Sequence, residues 1–129
     1  QVRNKLLVPS DSEIKSRALA EKLAHEAFML KGENIRILNV GEFLFLTDYF
    51  LIITTQSVRQ TKALAESLKM IAKQETGSKG HDEGAATSNW MLVDFDNVVV
   101  HILTEEAREF YDLDGLWVDA EELEFNPAA

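Results

Sequence analysis

The chain has 129 residues, of which 46% are hydrophobic and 27% charged, with no cysteine and a formal net charge of −9. This length and balance predict one soluble globular domain with a hydrophobic core of its own. The lack of cysteine excludes disulfides, thiolate metal sites and cysteine catalysis. The longest apolar stretch, residues 43–53, is about half of the ~20 residues that a membrane-spanning helix needs, so we expect no membrane contact.

The negative charge is concentrated at one end of the chain. Residues 105–129 contain nine acidic side chains and one basic side chain, a formal charge of −8. Such a segment repels phosphate backbones and attracts basic proteins, so we expect no direct nucleic-acid readout. The alternative interpretation is a solvated acidic tail, which we place at residues 120–129.

The first part of the chain predicts a flexible lead at residues 1–9, followed by a helix and a strand. Ser10 and Glu13 form a capping-box pattern at the start of the helix, and Gly32 is placed to end it. An apolar stripe at helical spacing lies between them, formed by Ile14, Leu19, Ala20, Leu23, Ala24, Ala27, Phe28 and Leu30. Residues 35–40 alternate imperfectly between apolar and polar side chains and predict a strand.

The middle of the chain predicts a strand, a short turn and a capped helix. Residues 49–54 are apolar and β-branched, as expected of a central strand that is covered on both sides. Ser57 and Gln60 repeat the capping-box pattern, and an apolar face continues to about Gln74. A polar connection follows this helix, and it can contain a short strand near residues 79–83. This order of elements favours an α/β layered architecture.

A β-hairpin is predicted around the turn residues 96–97, because Asp-Asn suits a tight turn with positive φ and apolar runs flank it. The pairing that follows places Leu92 opposite His101 and Asp94 opposite Val99. Asp94 is then a diagonal neighbour of His101, close enough for a side-chain contact.

The two faces of this hairpin differ in composition, because side chains alternate along a strand. One face is entirely apolar and must be core, with Met91, Val93, Phe95, Val98, Val100 and Ile102. The other face includes an acid and an imidazole, with Trp90, Leu92, Asp94, Val99, His101 and Leu103. This mixed face is too apolar for open water, so the function depends on what covers it.

Asp94 and Asp96 form the one metal-like spacing in the chain. Two aspartates at i and i+2 at a strand end can present carboxylates to Mg²⁺. A third carboxylate has no obvious candidate, the loop at residues 55–57 contains no glycine to cradle a phosphate, and turn chemistry explains Asp96 without a metal. A nucleotidyltransferase-like, metal-dependent enzyme that uses Asp94 and Asp96 therefore remains the alternative function.

From about residue 12 to residue 119 the chain resembles the ribosomal silencing factor family, also called RsfS or Iojap-like. The resemblance rests on a series of short motifs in a fixed order: Thr47-Asp48, Ser57-Val58-Arg59-Gln60, Glu83-Gly84, Asn89-Trp90, Val93-Asp94, Val98-Val99-Val100-His101, Glu105-Glu106-Ala107-Arg108, Tyr111-Asp112-Leu113-Asp114 and Leu116-Trp117. It implies an α/β domain over residues 10–119, with a mixed β-sheet of about five strands flanked by helices. The domain would have a fold similar to that of nucleotidyltransferases but would lack nucleotidyltransferase activity.

The same resemblance implies a function without enzymatic activity or a cofactor. Members bind the large ribosomal subunit through its ribosomal protein number fourteen, a basic partner, block joining of the small subunit and repress translation. The residues expected at the partner surface are Trp90, Leu92, Asp94, His101, Tyr111 and Leu113, with Leu92 added from the mixed hairpin face. A homodimer through the same face is a third hypothesis. We expect a cytoplasmic protein, or an organellar one if a transit segment has been removed.

Overall fold

The structure is a computed structural model that describes residues 10–44, 46–84 and 88–127; the predicted flexible lead at residues 1–9 lies outside these ranges. It has α/β architecture, as predicted. In chain order the elements are helix α1 (Asp11–Met29), strands β1 (Glu33–Asn39) and β2 (Tyr49–Thr55), helix α2 (Val58–Thr76), strands β3 (His81–Glu83), β4 (Trp90–Asp94) and β5 (Val98–Thr104), helices α3 (Glu105–Tyr111) and α4 (Leu113–Leu116), and strand β6 (Glu121–Leu123).

The strands form one mixed sheet in the order β3-β4-β5-β2-β1-β6. Strands β2 and β5 run parallel, and the other neighbours are antiparallel. The sheet therefore has six strands, where the sequence predicted about five.

The additional strand, β6, comes from the segment that was predicted to be an acidic tail. It pairs with β1, where Ile37 lies opposite Leu123 and Leu38 opposite Glu122. Leu123 is buried against the core, so one apolar side chain and backbone pairing hold this part of the segment on the sheet. Within the predicted acidic tail, residues 121–123 are therefore an edge strand on which Glu121 and Glu122 remain exposed.

Helices α1 and α2 cover one face of the sheet, which we call the helical face. Their buried side chains pack with the apolar face of the β4–β5 hairpin in one cluster. The predicted stripe of α1 is buried from Leu19 to Ala27, whereas its outer members Ile14, Phe28 and Leu30 are exposed. Both helices begin as predicted, since the hydroxyls of Ser10 and Ser57 accept the backbone N–H groups of Glu13 and Gln60 at 3.1 and 3.0 Å.

The end of α1 differs in detail from the prediction. The residue with positive φ is Lys31 (φ 71°) and not Gly32. A Cβ on Gly32 would lie 2.7 Å from the side chain of Ile53 and 2.9 Å from the carbonyl oxygen of Ala27. Gly32 is therefore needed because the chain passes close to β2, rather than for its backbone conformation.

The hairpin has the predicted register, with Leu92 paired to His101 and Asp94 to Val99. Asp96 supplies the predicted positive φ at the turn, 71°. Within the ranges that the structure describes, no helix is long and apolar enough to cross a membrane.

Candidate functional site

The second face of the sheet, which we call the α3 face, carries the mixed side of the hairpin. Helices α3 and α4 cover part of it and bury a second, smaller cluster made of Leu38, Val40, Phe50, Ile52, Leu103, Ala107 and Leu113. Because these two helices have only 7 and 4 residues, they leave the β4 side of the face half-open. Leu92, Asp94 and Val99 are accordingly half-buried.

The structure divides the six predicted partner-surface residues into two groups. Tyr111 is 46% exposed, and Trp90, Leu92 and Asp94 are half-buried at the surface. His101 and Leu113 are only 4% exposed each. His101 lies on the interior strand β5, and Leu113 packs into the cluster beneath α3 and α4. Neither side chain is therefore exposed at the predicted partner surface; both lie beneath it.

His101 is held by an indole and not by an acid. Its Nδ1 accepts a hydrogen bond from Trp90 Nε1 at 3.2 Å, which places the ring proton on Nε2. Nε2 is buried and has no hydrogen-bond partner among the residues described. Burial lowers the pKa of His101 to about 4, so the ring is neutral at pH 7.

The predicted contact between His101 and Asp94 is not formed. Asp94 Oδ1 instead accepts the backbone N–H of Asp96 at 2.8 Å, which closes the hairpin turn. In the described part of the chain, no group of three or more histidine, aspartate or glutamate side chains is placed to hold a metal ion. The Asp94–Asp96 pair thus has a structural explanation in the turn and lacks the further ligands that a Mg²⁺ site would need.

A continuous series of ring contacts crosses the α3 face beneath and beside the predicted surface residues. Each ring packs against the next with centroids 4.6–5.9 Å apart, which is the usual range for aromatic pairs. The series runs through Phe110, Tyr111, Trp90, His101, Phe50, Trp117 and Phe43. Phe110 at one end is 81% exposed, an unusual state for such a large apolar ring.

We define the docking surface as the exposed part of this region: Trp90, Leu92, Asp94, Phe110 and Tyr111. Strand β4 contributes the first three residues and α3 the last two. The Trp90 and Tyr111 rings join the two elements with a centroid separation of 4.8 Å. Large aromatic side chains with a polar atom, grouped at a surface, are typical of the centre of protein–protein interfaces.

Arg108 is the functional candidate that the sequence analysis missed. The side chain is only 6% exposed, and it donates to Asp114 with two nitrogens, at 2.9 Å to Oδ2 and 2.8 Å to Oδ1. It also donates to Thr54 Oγ1 at 2.9 Å and to the carbonyl oxygen of Asn34. One sequence feature could have revealed it: Arg108 is the only basic residue among nine acids in residues 105–129.

The ion pair between Arg108 and Asp114 is part of a larger network of charged side chains. Asp114 also accepts from Arg36 at 2.6 Å, and Arg36 donates to Glu122 of β6 at 2.8 and 3.2 Å. The hydrogen bond from Arg108, followed by the one from Arg36, holds the pKa of Asp114 down to about 2. The network therefore stays charged at neutral pH and links α3, α4, β1 and β6.

Comparison with known proteins identifies the family. Residues 13–129 match the profile of the family described as "Ribosomal silencing factor during starvation". Among curated relatives, the ribosomal silencing factor RsfS of Chromobacterium violaceum is 38% identical over 101 residues, covering 74% of this chain and 80% of the relative. The RsfS of Halalkalibacterium halodurans is 34% identical over 94 residues, covering 73% and 80%.

More distant relatives and solved structures agree with this result. The chloroplastic protein Iojap of Zea mays is 31% identical over 117 residues, covering 91% of this chain and 51% of the relative. Crystal structures of proteins from Chromobacterium violaceum and Bacillus halodurans superpose with TM-scores of 0.70 and 0.69 at 30% and 31% identity, covering 89% and 87% of this chain and 94% and 99% of those chains. With a matching profile, curated relatives and a shared fold, the chain belongs to the ribosomal silencing factor (RsfS) family.

Proposed function

We propose that this protein binds the large ribosomal subunit through its ribosomal protein number fourteen and blocks joining of the small subunit, which represses translation. The observation that carries the proposal is the docking surface. An open sheet face with an exposed Phe110 and a half-exposed Tyr111 offers anchors for a protein partner. Members of the family to which the chain belongs are named ribosomal silencing factors. Such a role requires a surface that binds a ribosomal component.

The charge around the docking surface favours a basic partner. Helix α3 begins with Glu105 and Glu106 and continues with Glu109, and all three side chains are exposed. The basic residue of this helix, Arg108, is buried in its network and contributes little positive field at the surface. A basic ribosomal protein is complementary to such a surface, whereas a bare phosphate backbone is not.

The proposal is tested by co-sedimentation of the chain with isolated large subunits. Tyr111→Ala is expected to weaken binding by roughly thirty-fold, the loss associated with an interface hot spot of about 2 kcal/mol. Phe110→Ala is expected to act in the same direction. The matched control is Met70→Ala. This side chain is 63% exposed on α2, which lies on the other side of the sheet from the docking surface.

Two results would count against the proposal. Wild-type chain that does not sediment with large subunits would refute binding. Equal weakening by Tyr111→Ala and Met70→Ala would show that the docking surface is not the contact. A reconstituted subunit-joining assay then separates binding from silencing, since the proposal expects fewer joined ribosomes in proportion to the chain that is bound.

Asp94 tests the electrostatic part of the proposal without disturbing the hairpin. Asp94→Asn keeps an oxygen that can accept the backbone N–H of Asp96, so the turn is preserved while the charge is removed. A charge at the edge of an interface mainly changes the association rate. Slower association with an unchanged dissociation rate is therefore expected, and a change confined to dissociation would contradict a steering role.

The two alternatives that the sequence left open have their own tests. A nucleotidyltransferase-like enzyme using Asp94 and Asp96 would release or absorb heat on titration with Mg²⁺ and nucleoside triphosphate, and no heat at millimolar nucleotide would exclude it. A homodimer through the docking surface would compete with large subunits, so dimers that persist on the subunit would exclude that arrangement. We propose the cytoplasm as the compartment, with an organelle as the alternative, to be decided by imaging of the native protein.

A further inference from the structure

Helix α3 carries two of the five residues of the docking surface and continues into α4, yet both helices are too short to be stable alone. Isolated helices shorter than about 12–15 residues are marginal in water, and α3 has 7 residues and α4 has 4. Their buried apolar contacts come from Ala107 and Leu113. Something further must fix their orientation on the sheet.

The guanidinium of Arg108 supplies that fixation. Its Nε and Nη2 form a fork with the carboxylate of Asp114 at the start of α4, and its Nη1 donates to Thr54 of β2 and to the backbone of Asn34 in β1. Three nitrogens therefore tie α3 to three other elements. A planar guanidinium fork is directionally specific in a way that apolar packing is not.

The strand segment that accepts a hydrogen bond from Arg108 has an irregular backbone. Asn34 has φ 47°, in the left-handed region, and the β1–β2 register shifts between Glu33 and Arg36. This irregularity belongs to the residue whose carbonyl oxygen accepts from Arg108. Bulges of this kind re-aim backbone groups, and asparagine is one of the non-glycine residues that adopt this φ most readily.

The connection from Arg108 to the docking surface is short and constrained. Tyr111 lies three residues later on the same helix and packs against Trp90. Asp112 follows with φ 48°, and its carboxylate accepts the backbone N–H of Gly115 at 3.2 Å. A Cβ on Gly115 would overlap that carboxylate, so this placement of the Asp112 side chain requires glycine at position 115.

We propose that Arg108 is a positioning residue: its buried guanidinium fixes α3 and α4 so that Tyr111 packs against Trp90, and Phe110 against Tyr111, before the partner binds. The inference rests on the proposed function and adds the residue that organises its surface. Arg108 acts through Tyr111 and does not touch the partner. Without Arg108 the two short helices sample other placements, and the apparent Kd rises by the inverse of the fraction that remains competent.

The experiment is a double-mutant cycle on the full chain, with binding to isolated large subunits as the readout. Arg108→Met is expected to weaken binding about ten-fold, which corresponds to one tenth of the molecules retaining the competent placement. Arg108→Lys keeps the charge but lacks the planar fork, so an intermediate loss is expected. In the Tyr111→Ala background, Arg108→Met should cost less than a further two-fold, because the side chain that it positions is already gone.

A second readout reports positioning without the ribosome. In a Trp117→Phe background, Trp90 is the remaining tryptophan, and its emission depends on the Tyr111 ring packed against it. Arg108→Met is expected to shift that emission to longer wavelength by exposing the indole. Urea unfolding run in parallel shows that each variant is folded, and Thr54→Val, which removes one acceptor only, replaces Arg108→Met if that variant is unfolded.

Three outcomes would overturn the inference. The first is a folded Arg108→Met variant that binds within two-fold of the wild type, and the second is a full, multiplicative loss in the double mutant. The third is an unchanged Trp90 emission. Failure of the proposed function is recognised separately, because the wild type itself would not bind large subunits, and the emission measurement would still decide whether Arg108 positions the helices.

Discussion

The buried histidine of the α3 face makes the stability of this protein sensitive to mild acid. The His101 ring is 4% exposed, packs edge-on against Phe50 at 4.6 Å and accepts the indole N–H of Trp90. Protonation at Nδ1 would remove that acceptor and place a charge in an apolar site. The perturbation that tests this is His101→Asn, whose side-chain oxygen can replace Nδ1 as acceptor but does not titrate.

The size of the effect follows from the two pKa values of the ring. In the folded chain the pKa is about 4, against 6.5 for the free side chain. The unfolded chain therefore takes up the proton first as the pH falls, so stability is complete above pH 6.5 and is lost towards pH 4. Linkage gives a loss of about 2 kcal/mol between pH 7 and pH 5, and about 3 kcal/mol by pH 4.

The measurement is urea unfolding of wild type and His101→Asn at pH 7, 6 and 5. At pH 7 the variant is expected to be less stable by about 1–2 kcal/mol, because the smaller side chain leaves a void. This difference should shrink by about 2 kcal/mol at pH 5. Carboxylates that titrate in both proteins cancel in the comparison, and His25→Asn at an exposed position of α1 controls for the loss of a histidine.

Parallel pH profiles for wild type and His101→Asn would refute the reasoning. They would mean that His101 binds its proton equally well in the folded and unfolded chain, and hence that the indole hydrogen bond and the burial of the ring do not exclude the charge. If the free energy of unfolding of the wild type falls only below pH 4, the acid sensitivity would likewise be due to carboxylates.

Three further predictions concern stability measured by urea unfolding. Gly77→Ala is expected to cost about 1 kcal/mol, because Gly77 ends α2 with φ 75°. Ser57→Ala should cost about 1 kcal/mol through loss of the α2 cap. The stability that Asp114 contributes through its lowered pKa is present above about pH 4 and lost towards pH 2. We expect about 1–2 kcal/mol, allowing for its partial exposure, and Asp114→Asn should flatten that part of the profile.

The sequence by itself determined the local structure and the composition of the surfaces. Serine caps marked both long helices, and the period-two pattern around Asp96 specified the hairpin register, including the pairing of Leu92 with His101. These features depend on contacts between residues close in the chain, where turn chemistry and side-chain alternation leave few choices. The order of short motifs was also sufficient to indicate the family, which the comparisons confirm.

The tertiary structure decided which of these residues face solvent. His101 and Leu113 are buried because α3 and α4 fold back over interior strands, and Leu123 adds a sixth strand because β1 offers it a free edge. The role of Arg108 depends on partners 54 residues away at Thr54 and 74 residues away at Asn34. No periodicity encodes such contacts, since they arise only when distant segments pack together. Packing therefore decides which side chains of the mixed hairpin face are exposed and which lie beneath the short helices.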